Sequence, residues 1–443
     1  MKFYLILLLV FFFQACSFDN KTGIWNNVNE ISQDKNGILG RLESLSSANK
    51  PFNKTIPFSG KLNNDFVDEP ITNYEWSDIF FNIRNNAINL KYRNTNKVIF
   101  KSKKITKNKL NEFFLFKNSE VIASDTKGNI IVYSINEEKI INKFNFYKKN
   151  FKGVKKFLNL IVEENTIYVS DNLGYLYAYN YKIDKILWAK NYKIPFRSNL
   201  KIIDNKLIAS NQNNIIYFLN KKNGNILKLI PTEETIVKNN FINNFSSDGK
   251  LTFFLNTYGS LYAINNQNFN IVWFINLNRS LDLNPSNLFL GNQVISDKNK
   301  VVVSSNYFTY VLDSNNGSII YKKNFSSKLK PLIFKDHLFS ITKNNLLIAT
   351  DLNSGEIVYS YNINKKIADF LNLKKHKTVD FKNFMIINNK IFIFLRNSYV
   401  LKFKITGDIE EIVKLPSKFN THPIIVDKSL LIVDLKNRVT VID

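Results

Sequence analysis

The chain has 443 residues, 61 Lys+Arg against 36 Asp+Glu for a formal charge of +25, one Cys, three His and two Met. One cysteine excludes an intramolecular disulfide, a Cys-rich zinc site and a covalent haem site, and the separated His337, His376 and His422 supply no HExxH pair and no evident metal cluster. The lysines are spread along the chain and accompany 68 asparagines; this reads as the product of an A+T-rich coding sequence, with an anionic membrane or acidic partner the second reading and a nucleic-acid partner not expected. At 44% hydrophobic and 14% aromatic residues, the chain can bury a large core, as two or three domains or as one large repetitive one.

In chain order, Lys2 is followed by eleven apolar residues, Phe3 to Phe13, then Gln14, Ala15 and the only cysteine, Cys16. Eleven helical residues span about half of a ~30 Å hydrocarbon core, so the stretch has the length and charge of a secretory signal rather than of a transmembrane helix. Phe13-Gln14-Ala15-Cys16 resembles a bacterial lipoprotein signal. That resemblance implies removal of residues 1–15, acylation of Cys16 and, with Ser17 next, residence at the outer membrane. Residues 16–76 are rich in Asn, Ser and Lys and are expected to be a largely flexible lipid-anchored tether, with a root-mean-square reach of roughly 40 Å. Within them Ile38, Leu39, Leu42 and Leu45 have the spacing of one short amphipathic helix.

Residues 77–443 are expected to form the folded domain, and a repeat organises them from 121 onward. The segment 167–188 lines up without a gap on 121–142, 207–228, 252–273 and 338–359, with one deletion on 301–321, and more weakly on 391–412 and 430–443. The fourth residue of each copy gives Ser124, Ser170, Ser210, Leu255, Ser304, Ile341, Phe394 and Val433, a mean period of about 44. Each copy reads as strand, tight turn, strand, turn, strand. Gly128, Gly174, Gly259, Asn214, Asn345 and Asn437 stand at the first turn and Gly224, Gly317 and Gly355 at the second, residue types that accept the positive φ of tight turns. The outer strand ends in an aromatic at Trp188, Trp273, Tyr321 or Tyr359, and about 20 residues per period leave room for one more strand. Such a period predicts an all-β, eight-bladed β-propeller of four-stranded antiparallel blades. The last copy stops at Asp443 without an outer strand while 97–105 reads as an outer strand without a hairpin, so an N-terminal strand is expected to pair with the C-terminal blade and close the ring. A ninth full repeat over 79–100 is the alternative.

GYLYAYN (174–180), GSLYAIN (259–265) and DLNSGEIVY (351–359) resemble the repeat of pyrroloquinoline-quinone-type β-propellers, a family of quinone-dependent dehydrogenases and non-enzymatic scaffolds. The dehydrogenases use an adjacent Cys pair, a calcium site and an Asp base; no second Cys exists here. Eight such repeats behind a lipoprotein signal, with a truncated last hairpin, resemble the BamB family of outer-membrane β-barrel assembly lipoproteins. What this implies is a non-enzymatic periplasmic scaffold without cofactor or metal, lipid-anchored at the outer membrane, docked on the POTRA domains of the barrel-forming subunit. In that family the docking surface includes the connection after the fourth hairpin, here 278–285. Arg279 and Asp282 match its Arg and one acid in type, and Asn284 stands where a second acid is expected. Independently of the resemblance, Arg279 suits bidentate pairing with a partner carboxylate, and Leu281 and Leu283 suit apolar anchoring. The connection 231–236 lacks the family's apolar-Arg pattern. A periplasmic quinone-dependent dehydrogenase and a glycan- or peptidoglycan-binding propeller are the alternative functions.

Overall fold

The structure, a computed structural model, describes residues 51–58, 60, 68–147, 151–234, 244–278, 289, 291–305, 307–374 and 377–443, together with the backbone of 17–18 and 25–26. The chain divides into two compact units, 1–51 and 52–443. In the first, Ser17–Phe18 pairs antiparallel with Trp25–Asn26. Cys16 and the helix expected over 38–45 lie outside the described residues.

The second unit is a ring of eight four-stranded antiparallel sheets. Blades one to seven occupy 110–145, 158–191, 201–230, 244–276, 295–323, 332–362 and 381–414, and each runs from an inner first strand to an outer fourth. Blade eight takes three strands from 424–442 and its outer strand, Val98–Lys104, from the other end of the domain, with Val98 paired to Ile442 and Lys104 to Arg438. The ring therefore closes as the truncated last repeat requires, and no ninth blade forms over 79–100. The longest interval between markers, Ile341 to Phe394, carries the helix Ile363–Phe370, capped by the Asn362 side chain accepting from the Lys365 amide at 3.0 Å.

Local chemistry explains why the hairpins repeat. Asp125, Asp171, Asn211 and Asp434 each accept from two backbone amides of the turn that follows, as Asp171 does from Leu173 and Tyr175, both at 2.8 Å, and Asn256 accepts from three. These Asx turns fix the register of the two middle strands, which are apolar and almost wholly buried between neighbouring blades. The outer-strand aromatics latch one blade to the next. Trp188 of blade two covers Gly224 of blade three, where an added Cβ would lie 2.5 Å from the indole, and donates from Nε1 to Lys221 O at 2.8 Å. Trp273 does the same at Gly317 of blade five, donating to Ser314 O at 2.9 Å. Tyr321 on Gly355 and Tyr359 on Gly407 continue the series, their hydroxyls donating to Asp351 O and Ile405 O. Gly224 and Gly317 are thus required twice over, for φ near +70° and for the flat surface the indole covers.

Residues 73–93 make a full circuit of the channel along the first strand of every blade. Asn73 O accepts from the Asp427 amide of blade eight, Trp76 exchanges both backbone bonds with Phe116 of blade one, and Ser77 O accepts from Val162 of blade two. Asp78 and the Asn85 side chain each accept from Lys201 of blade three at 2.6 Å. Asn85 Nδ2 donates to Phe245 O of blade four, and the Arg84 guanidinium meets Asp297 of blade five at 3.0 Å. Asn86 pairs through its amide with both backbone groups of Ile333 in blade six, and Leu90 bonds Ile386 O and the Asn388 amide of blade seven. Arg93 returns to blade eight at Lys428 O. Asn85, Asn86 and Asn89 are almost fully buried, each satisfied by groups on the ring.

Candidate docking surface and central cavity

Two features of the ring can carry function: its outer edges and the cavity beside the circling segment. A propeller's outer strands present unpaired backbone groups on one side, a template for another strand. On blade six that edge is used within the chain. Ile56 and Ser360 exchange both backbone hydrogen bonds at 2.9 Å, and Phe52 donates to Asn324 O at 2.6 Å. Among the described residues no strand covers the outer edges of blades two, three and four. These edges also expose apolar side chains, among them Leu187, Ile226, Leu227, Val272 and Phe274, the last 63% exposed.

The connection expected to dock follows the outer strand of blade four, Ile271–Asn276, directly. Arg279, Leu281, Asp282, Leu283 and Asn284 lie outside the described residues. The points from which their segment leaves and returns are well defined. Leu277 is buried and donates to Gly259 O, and Phe289 is buried and donates to Thr257 O, so both ends hang from the Asn256–Ser260 turn of blade four. The opposite side of that turn is held by Glu233, whose carboxylate accepts from Asn256, Ser260 and Tyr262 at 3.0, 3.0 and 2.6 Å. Glu233, from the connection after the third hairpin, is thus a buttress of the blade-four turn. Sequence reasoning assigned it no part, because its partners stand more than 20 residues downstream.

Within the ring, a cavity of about 300 Å³ lies between the circling segment and blades six, seven, eight and one. Its apolar walls are Trp76, Phe80, Phe113, Leu332 and Met385, and its ionisable groups are Lys328, Lys330, Lys382, Glu112 and His422. Lys382 is buried and lies 3.6 Å from Glu112, donating also to Asn420 O at 3.2 Å. His422 stacks on Phe113 with ring centres 4.5 Å apart and places Nε2 3.4 Å from the same carboxylate. That hydrogen bond from His422, helped by Lys382 and Arg396, holds Glu112 down at about 2, while burial pushes both His422 and Lys382 below their ordinary values. Burial, reinforced by repulsion from Lys201, brings the Lys330 ammonium to about 7. Among the described residues, no group of three or more His, Cys, Asp or Glu is placed to hold a metal ion, and no helix is long and apolar enough to cross a membrane.

Eight blades, four of whose junctions carry aromatic–glycine latches, closed by an N-terminal strand, define a β-propeller of the pyrroloquinoline-quinone-like repeat class. The family model described as outer membrane protein assembly factor BamB matches residues 127–361, more than half of the sequence, and the chain belongs to that family. A search of curated proteins finds no match. Among solved structures, BamB from Moraxella catarrhalis superposes with a TM-score of 0.60 at 13% identity, covering 78% of this chain and 99% of that one. A europium-containing methanol dehydrogenase gives 0.60 at 12% identity with 81% and 89% covered. Quinohemoprotein alcohol dehydrogenase from Comamonas testosteroni gives 0.59 at 10% identity with 86% and 82% covered. At these identities the likeness is one of fold, which scaffolds and dehydrogenases share.

Proposed function

We propose that the protein is a non-enzymatic scaffold lipoprotein of the outer-membrane β-barrel assembly machinery, held at the periplasmic face of the outer membrane by a lipid on Cys16 and docked on the POTRA domains of the barrel-forming subunit. Family membership supports the machinery. The observation that carries the docking is the set of apolar outer edges on blades two to four, which no strand covers among the described residues; the last of these strands leads in sequence into the connection that holds Arg279, Leu281, Asp282, Leu283 and Asn284. Apolar edges offer a protein partner a desolvated centre, and an Arg and an acid in the adjoining sequence offer it charges to pair with. In this reading Arg279 and Asp282 pair with charges on the partner, Leu281 and Leu283 bury against it, and Asn284 supplies a neutral polar contact.

The test is capture of the barrel-forming subunit by the tagged chain and by its Arg279→Glu/Asp282→Arg variant. Recovery is expected to fall at least tenfold in the variant, since reversing two interfacial charges places like charges together. Undiminished recovery removes the proposed site.

A further inference from the structure

The central cavity gathers cations with little acid to balance them. The Lys201 ammonium that braces the circling segment is neutralised by Asp78 at 2.6 Å. The cavity wall itself brings three lysines, 328, 330 and 382, against one carboxylate, Glu112, among the described residues. That carboxylate is divided between Lys382 and His422. Lys330 donates at 2.5 Å to a backbone carbonyl, Asn85 O, rather than to an acid, and it feels the Lys201 ammonium more strongly than Asp78, which is bonded to Lys201. A partly buried cation beside a cation is costly, and an anion brought into the site relieves that cost.

The remainder of the wall is aromatic and aliphatic. Trp76 and Phe80 come from the circling segment, Phe113 from blade one, Leu332 from blade six and Met385 from blade seven, and Trp76, Phe80, Leu332 and Met385 are nine-tenths or more buried. The cavity opens past the exposed Lys328 and Glu112. Its volume of about 300 Å³ is at the small end of ligand pockets, which combine an apolar lining with a few convergent polar groups.

We propose that this cavity is a binding site for a small amphipathic organic anion, a carboxylate or sulfonate borne on an aromatic or short acyl body, with the anionic head at the lysine wall and the body among Trp76, Phe80 and Met385. The site is independent of the docking edges, which lie on the outside of the ring, so it stands or falls separately from the scaffold reading. The circling segment forms one wall, and an occupant therefore bridges that segment to blades six, seven and eight.

Calorimetric titration of the full chain with 2-naphthoate, and with the uncharged 2-naphthamide of the same shape, tests the site. Saturable one-to-one binding of naphthoate is expected, at least tenfold tighter than naphthamide and weakened at least fivefold by Lys330→Met. Lys328→Glu, at the exposed mouth where folding is not at stake, is expected to weaken it likewise and serves if Lys330→Met does not fold. No saturable naphthoate binding, equal binding of the two probes, or full-strength binding by the folded variants overturns the proposal.

Discussion

The ring and the segment that circles inside it are held by opposite means. Within blades one to seven the hydrogen bonds join strands adjacent in sequence, and blades meet through apolar faces, with an aromatic latch at four junctions, so each blade depends on its neighbours. Along 73–93 the contacts reach from 40 residues away, Trp76 to Phe116, to 350 away, Arg93 to Asp443. The grips are polar: Asp78, Asn85, Asn86 and Asn89 seize backbone groups and a lysine of the blades. A ring of similar blades adds stability piece by piece, whereas one peptide bonded to all eight ties them into a single cooperative body. It also forms one wall of the basic cavity.

Breaking the ring at its seam should have the largest effect. Deleting 97–105 removes the outer strand of blade eight, and loss of the whole domain in one step is expected by circular dichroism; local fraying alone would show that the seam does not close the ring. Next comes the circling segment. Asp78→Ala strands the fully buried Lys201 ammonium, at an expected cost of about 3–5 kcal/mol in urea denaturation. The Asp78→Ala/Lys201→Met double variant should recover much of that loss, because no buried charge is left unpaired. A latch is worth less: Gly224→Ala combines a strained positive φ with displacement of Trp188, about 2 kcal/mol, and should spare blades that do not touch it.

The smallest effect is one of pH. Lys330 is held near 7 in the folded state against an ordinary 10.5. Between those values the unfolded chain binds the extra proton, so stability should rise with pH from about 7 to 10.5 relative to Lys330→Met, and the two curves should run parallel below 7. A difference that instead falls over this range would show that Lys330 is stabilised as a cation by the fold.

The repeat was legible because its determinants are local. Gly128, Gly174, Gly259 and Asn214 stand at turns with positive φ as their types require, and the unpaired outer strand at 97–105 matched the missing strand of the last copy. The latches were half legible: Trp188 and Gly224 each stood out, but that one covers the other across a blade boundary depends on the ring's geometry. The circuit of 73–93 was not legible. Asn82, Asn85, Asn86 and Asn89 fell in a stretch that read at most as a loose ninth repeat over 79–100, because the groups that satisfy them exist at those positions only once the blades are assembled. The cavity was hidden for the same reason, since Trp76, Glu112, Lys330, Lys382 and His422 come from five separate stretches. The helix 363–370 lay in the longest gap between copies and is capped by a single Asn.

Docking of the ring at the membrane is tested most directly by purifying the full tagged chain from its native membranes and identifying what comes with it by mass spectrometry. The barrel-forming subunit of the outer-membrane assembly machinery is expected in near-equal amount, and at less than a tenth of that amount with Arg279→Glu/Asp282→Arg. Recovery of the chain without that subunit, in membranes where the subunit is present and the chain is folded, would contradict the scaffold role.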